Sequence, residues 1–385
     1  MGLLDLKVIF QFNKAKALAK RQGFFHKAVI FATMLDYLIV GLGLAGISYC
    51  EQLAQNGRSF LVVDDASQQA SLVAGGLYNP VILKRFTLAW KAREQMELAL
   101  PFYARLEEKL GIPLDYKVPV YRRFASLEEQ NLWFEAADKP GLEYFLSTAL
   151  VQNTNQAIKA PYGFGEVKYT GRVDTKRLLT TYAHYLKQEK AIANNHFSFK
   201  DLQIHDNFIK YKSITAKRIV FAEGFGLRQN PFFDYLPLNG TKGELLTIKA
   251  PGLKEKKVIK SGVFIIPLGN DLYRIGATYK WKDKTNIPTA EAKIELLTKL
   301  GTFLDCPFEV VGHVAGIRPT VGDRRPLVGQ HPQYNNMYIL NGFGSRGVLI
   351  APYAARQLYN LSEYEETIDA EMNILRFEKK HFIPS

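Results

Sequence analysis

The stretch Gly41-Leu42-Gly43-Leu44-Ala45-Gly46 has the residue types and spacing that bind a pyrophosphate. Gly41 permits a tight turn, Gly43 lets phosphate oxygens approach the backbone, and Gly46 lets a helix pack closely on a strand. Leu44 and Ala45 begin a helix whose unpaired N–H groups favour negative charge. Asp64, 18 residues past Gly46, stands near the spacing of an acid that binds a ribose hydroxyl, with Asp65 beside it. Two more glycine turns could meet the same ligand. Gly75-Gly76 suits close backbone approach, and Gly342, Gly344, Ser345, Arg346 and Gly347 form a third cluster. These motifs predict a dinucleotide cofactor. The first of them does not choose between FAD and NAD.

The elements around the motifs agree with that chemistry. Tyr37–Val40 is an apolar run that predicts a buried strand, and Ile47, Cys50, Leu53 and Ala54 repeat at the spacing of one helix face. Asn56-Gly57 stops that helix, and Phe60–Val63 forms a second strand ending at Asp64. A βαβ unit without a ligand would need neither the three glycines nor the terminal acid. The third cluster repeats the arrangement: a strand at Met337–Leu340, glycines, then a helix from about Val348 to Tyr359. Between them the pattern predicts helices over about 88–110, 175–187 with Asp174 as N-cap, and 290–304. Strands are predicted at 166–171, 217–222, 243–248, 263–267 and 272–278.

The chain has 385 residues and a formal charge of +13 at pH 7. That length suits two domains, and the positive balance is compatible with an anionic partner. Residues 1–33 carry six cations against Asp5 and show no signal-peptide pattern. The first strand follows Met34 directly, so translation is expected to start there, with 1–33 as an extension. Apolar runs stop short of a membrane span, so no membrane partner is predicted. Two distant cysteines, Cys50 and Cys306, fit a reducing, cytoplasmic setting, and no ligand spacing predicts a metal site.

Taken together, these stretches resemble the FAD-dependent D-amino-acid oxidase superfamily, in its glycine oxidase and sarcosine oxidase branch. The pattern is matched in order by Gly41–Gly46, Asp64, Ala74-Gly75-Gly76, Gly171–Asp174, Ala222–Gly224, Lys242-Gly243-Glu244, Ile275–Thr278, Gly316-Ile317-Arg318-Pro319 and Gly342–Gly347. The resemblance implies non-covalent FAD and an α/β fold, in which a doubly wound FAD-binding, Rossmann-like domain interleaves with a mixed-sheet α+β substrate domain. Carried over, the FAD domain comprises 35–83, 160–228 and 312–378, and the substrate domain 84–159 and 229–311. It implies oxidation of the C–N bond of a carboxylate-bearing small amine by hydride transfer to flavin N5. Gly224 joins the cofactor-binding residues. Arg318 takes the place of the arginine that grips the substrate carboxylate. Arg346 would be a second cation near the ligand, with a solvent-facing side chain as the alternative. Arg274 stands near the lysine that promotes oxygen reaction in sarcosine oxidases, with an exposed strand residue as the alternative. Lys84 and Arg85 follow the Gly75-Gly76 turn and would border the ligand or face solvent.

Two positions depart from the pattern. Phe264 replaces a tyrosine that hydrogen-bonds the substrate carboxylate in glycine oxidases, and Glu223 replaces a small residue before Gly224. The third glycine cluster is also similar to the flavin domain of the bifunctional enzyme that completes 5-methylaminomethyl-2-thiouridine in tRNA. That similarity implies an alternative substrate, a wobble uridine in tRNA, with Lys254, Lys256, Lys257, Lys260 and the stretch Tyr279–Lys284 meeting phosphates and bases. Solvated lysine faces are the plainer account of those residues. A third alternative is an FAD-binding module that turns over no amine.

Overall fold

Strand Leu35–Val40 is central to the first sheet because its last four residues are buried and its neighbours run parallel to it on both sides. In the computed structural model, which describes residues 34–378 and Phe382, Phe60–Val63 flanks it on one side and Ile214–Phe221 on the other. Ile192–Ala193 extends the sheet beyond Phe60–Val63. Past Ile214–Phe221 the sheet divides. Its first half pairs with Ile209–Tyr211 antiparallel, and its second half with Met337–Asn341 parallel. The expected extension over 1–33 lies outside the described residues.

One face of this sheet is covered by Leu44–Gln55 and Gly347–Tyr364, the two helices that follow glycine turns and pack on each other. Their contact is anchored by polar groups inside the core. The Tyr37 and Tyr49 hydroxyls each lie 2.9 Å from Ser362 Oγ, and Tyr37 also donates to Glu363 at 2.6 Å. Buried hydroxyls without partners would each cost about 1–3 kcal/mol, so the network fixes the helix pair to one register.

The second sheet has eight strands, in the order Glu309–Arg318, Thr241–Lys249, Leu272–Gly276, Phe264–Gly269, Val258–Lys260, Val120–Arg123, Phe164–Val167, Leu146–Val151. All neighbours are antiparallel except Val258–Lys260 with Val120–Arg123. The predicted strand 166–171 is in fact two, Phe164–Val167 in this sheet and Gly171–Val173 in a small three-stranded one. Phe164–Val167 therefore pairs with the second sheet, although the expected FAD-domain segment 160–228 contains it. Asp174 caps the following helix, Thr175–Gln188, by accepting from Arg177 N–H at 3.1 Å. No helix among the described residues is long and apolar enough to cross a membrane.

The first glycine turn depends on one close approach. A Cβ on Gly46 would sit 2.1 Å from the Gly41 carbonyl oxygen, and Gly41 itself has φ of +99°. Gly46→Ala should force the helix away from the strand and cost about 1–3 kcal/mol. Urea unfolding measures this, and an unchanged midpoint would show that the turn yields without strain.

Candidate active site

A cavity of about 650 Å³ runs from the first glycine turn to the face of the second sheet. Gly41, Gly43, Leu44, Ala45, Asp64, Gly75, Gly76, Gly224, Gly344, Ser345, Arg346, Gly347 and Arg318 all line it. The fold thus brings together residues up to about 300 positions apart in sequence. Four predicted residues lie off it. Gly46 packs against the Gly41 carbonyl behind the first turn. Gly342, at φ +80°, shapes the turn, with its N–H donating to Asn341 Oδ1 at 2.8 Å. Asp65 lines a smaller neighbouring cavity and accepts from His196 at 2.8 Å. Arg274 shares a sheet face with Ile266 but lies beyond the cavity, where its charged neighbours are Arg172 and Asp174.

At the glycine-turn end, the helix Leu44–Gln55 begins at Gly43, which has no side chain to cap it, and no acid stands in its first turn. An anion is therefore the natural partner of its N-terminus. Asp64 braces the turn. One carboxylate oxygen accepts from Leu42 N–H at 2.9 Å and the other from Ala66 N–H at 3.0 Å. Burial pushes the Asp64 carboxyl above its usual range, against the pull of those two amides. Each oxygen keeps lone pairs for a ribose hydroxyl. Glu223, unexplained by sequence, lines both cavities. Burial pushes its carboxyl up to about 7, and one oxygen accepts from Asn230 Nδ2 at 2.8 Å.

Asn341 is a positioning residue that the glycine pattern did not reveal. Its side chain donates to the Gly224 carbonyl at 2.9 Å while accepting from Gly342. It ties the Gly224 loop to the third glycine turn. Arg346 also joins two turns, since its guanidinium donates to the Asn79 carbonyl just past Gly75-Gly76. Burial lowers its pKa to about 10. Arg346 is the N-cap of Gly347–Tyr364, whose first turn holds no acid and lines the cavity. The solvent-facing alternative for Arg346 does not hold.

At the far end the floor is the second sheet. Arg318 ends its outer strand, and its guanidinium lies flat on Gly243. A Cβ there would come within 1.9 Å of Arg318 Nη2. One Nη donates to the Thr278 carbonyl at 3.3 Å, and the Tyr279 ring packs 5.2 Å from Cζ. No carboxylate pairs with it among the described residues. The ion pair with Asp323, one alternative from sequence, is absent, because Asp323 pairs with Arg376 at 3.0 Å. Burial lowers the Arg318 pKa.

The lysines separate. Lys280 pairs with Glu295 at 2.8 Å, Lys284 donates to the Asn239 and Gly240 carbonyls, and Lys257 lies 5.2 Å over the Tyr121 ring. Lys254, Lys256 and Lys282 are exposed. Lys260 instead lines the cavity, as does the exposed Lys84, whereas Arg85 does not. No group of three or more potential metal ligands occurs among the described residues.

The sequence matches the family described as DAO, FAD dependent oxidoreductase, over residues 36–361. It is 23% identical over 366 residues to a glycine oxidase of Pseudomonas aeruginosa, covering 86% of this chain and 95% of that protein. It is 24% identical over 308 residues to the tRNA 5-methylaminomethyl-2-thiouridine biosynthesis bifunctional protein of Campylobacter concisus. That alignment covers 76% of this chain and 46% of the relative, so the chain spans about half of it. The fold is that of the crystal structure of glycine oxidase from Geobacillus kaustophilus, with a TM-score of 0.72, 20% identity, and coverage of 89% and 98% of the two chains. The doubly wound and mixed-sheet fold read from sequence is thereby established, and the family match over residues 36–361 gives FAD as the cofactor.

Glycine turns, Asp64 and two helix N-termini around one cavity fit FAD. No histidine or cysteine among the described residues lines that cavity, so acid precipitation should release the flavin into the supernatant; colour retained in the pellet would reveal a covalent link. Glu223 gives a second test. Its raised pKa favours folding fully below about 4.5, and that contribution fades as pH rises through about 7. Glu223→Gln should therefore stabilise the apoprotein by about 1–3 kcal/mol near pH 8 and scarcely at pH 4.5. Equal effects at both pH values, by urea unfolding, would contradict the buried neutral carboxyl.

Proposed function

We propose that this chain, which belongs to the DAO family of FAD-dependent oxidoreductases, oxidises the C–N bond of a carboxylate-bearing amine, an amino acid or N-substituted glycine. The observation that carries this reading is Arg318: a part-buried guanidinium on the cavity wall that no carboxylate among the described residues neutralises. Its planar fork matches a carboxylate in two parallel hydrogen bonds. Bound FAD supplies the chemistry, accepting a hydride from the carbon beside the nitrogen.

The residues divide the remaining work. Gly41–Gly46, Asp64 and Gly224 hold the nucleotide end, and the N-terminus of Gly347–Tyr364 offers positive potential further along the cavity. Arg318 fixes the acid end of the amine, so that the carbon to be oxidised is presented in one orientation. Such positioning is a large part of what a binding site contributes to rate. Tyr279 covers the guanidinium and limits the water that could compete for it. The oxidised product is an imine, which hydrolyses in water.

A second reading is favoured by one observation. Tyr279 and Trp281 are 45% and 50% exposed and stand edge to face at 5.4 Å, with Tyr279 on the cavity rim. An exposed aromatic pair suits the stacking of a nucleobase, so a carboxymethylaminomethyl group on a wobble uridine of tRNA is the alternative amine. Affinity for modified tRNA that falls steeply with salt would favour it. Weak binding without preference for the modification returns the case to a small amine. Flavin that no amine or modified tRNA bleaches under anaerobic conditions would instead mark a binding module.

Arg318→Ala should keep its flavin and lose most of its preference for an acid over the matching amide. Losing one partner of a desolvated charge pair costs about 2–5 kcal/mol, roughly a thirtyfold to several-thousandfold drop in kcat/KM for the acid. Arg318→Lys should recover only part, since an ammonium lacks the planar fork. Gly243→Ala should mimic the loss by displacing the guanidinium. If Arg318→Ala slows acid and amide equally, its role is structural.

A further inference from the structure

Lys260 is a part-buried cation of the cavity that the reading above leaves without a task. It ends the strand Val258–Lys260, pairs in register with Phe264, and lines the cavity. Its ammonium lies 4.5 Å over the Phe264 ring. No carboxylate bonds to it among the described residues. Its charged neighbours are Arg122 and Lys299, both cations, and both already paired, with Glu129 and Glu295. The carboxylates that line the cavity, Asp64 and Glu223, stand at the first glycine turn, beside Leu42 and Gly41. Burial and the two cations push the Lys260 ammonium down to about 8. A lysine held this way gains most from an anion that arrives from outside.

The sheet register gives the distance between the two cations. Lys260 pairs with Phe264, Phe264 with Gly276, and Gly276 with Leu245. Arg318 lies on Gly243, two residues from Leu245 along that last strand. Three steps of about 4.8 Å separate the outer backbones, the ammonium reaches one step inward over Phe264, and the two-residue offset adds about 7 Å along the strand, leaving roughly 12 Å. That span accommodates one contact to each cation and, between them, a short amine with an acid at either end.

We propose that Lys260 is a second anion-binding group of the substrate site, so that the amine carries one acidic group held by Arg318 and another, at its opposite end, held by Lys260. The proposal rests on the functional reading given above. The substrate class it names is an N-substituted glycine whose substituent is itself anionic, a carboxylate or a phosphonate-like group. Phe264 provides the apolar wall on which the ammonium rests, and Leu245, leaning over Gly276, forms an apolar floor between the two ends.

The test uses the FAD-loaded enzyme and unreactive ethers in place of the amine: methoxyacetate with one acid, oxydiacetate with two, and (phosphonomethoxy)acetate with a phosphonate as its second acid. Binding is read from ligand-induced changes in flavin absorbance. Wild type should bind one or both of the doubly acidic ethers at least tenfold tighter than methoxyacetate, and the tighter of the two identifies the second acid. Lys260→Met should weaken the doubly acidic ether about thirtyfold or more and leave methoxyacetate within about twofold. Lys260→Arg should retain the preference. Iminodiacetate against sarcosine should show the same pattern in kcat/KM. Equal binding of all three ethers by wild type, no binding of any, or equal losses in Lys260→Met would overturn the proposal. Arg318→Ala keeps the two readings apart. If it leaves every ether unaffected while Lys260→Met abolishes the preference, Arg318 is not the carboxylate anchor and Lys260 still is an anion site.

Discussion

A guanidinium held out of bulk water with no counter-ion is costly, and the floor of the cavity is built to hold one. Arg318 has a single backbone carbonyl, an aromatic face and a bare glycine around it. Strand alternation explains how that is sustained. Gly243 faces the cavity, so Lys242 and Glu244 on either side point to the opposite face. There Lys242, fully buried, donates to Asp283 and Thr285, while Glu244 accepts from Thr289 and pairs with His313 at 3.0 Å. Removing one partner from such a network costs several kcal/mol. The register that lays Gly243 under Arg318 is therefore fixed from behind, by charges that never meet the ligand.

The nucleotide end is organised by a different constraint, close backbone approach. Gly46 meets the Gly41 carbonyl, and Gly76, at φ +69°, meets the Val173 carbonyl. Side chains then tie the turns to one another. Asn341 joins the Gly224 loop to Gly342, and Arg346 joins the last helix to Asn79. Each connection links segments far apart in sequence. Both helix N-termini consequently open into the same space, and the potential each carries adds to that of the other.

The parts of this arrangement that obey local rules were legible in the sequence. The glycine spacing, the apolar strands and the Asp174 cap all depend on neighbours within a few residues, and the structure reproduces them. The helix predicted from Leu88 starts at Ala92, because Val81–Ile82 and Thr87–Leu88 pair first as a short hairpin. What sequence could not reveal depends on long-range register. Arg274 matched a family position in sequence, yet it lies on a part of the sheet beyond the cavity, where the charges that act on it are Arg172 and Asp174. Asp64 and Asp65 stand side by side in sequence, but only Asp64 reaches the large cavity, while both line the smaller one. Asn341 carried no signal beyond its place before a glycine.

Lys260 and Phe264 illustrate the same point in the chemistry of the site. In the glycine oxidase pattern that the chain resembles, a tyrosine hydroxyl at the Phe264 position donates to the substrate. Here the ring remains and the hydroxyl is gone, which leaves an apolar wall. The register of Val258–Lys260 against Phe264–Gly269 lays an ammonium across that wall. The ammonium reaches the same face of the sheet from the adjacent strand, where it meets the far acid rather than the one that Arg318 holds. A phenol hydrogen bond discriminates weakly between a neutral acceptor and an anion, whereas an ammonium favours the anion strongly. The missing hydroxyl and the part-buried Lys260 together suit a site with charge at both ends of the amine.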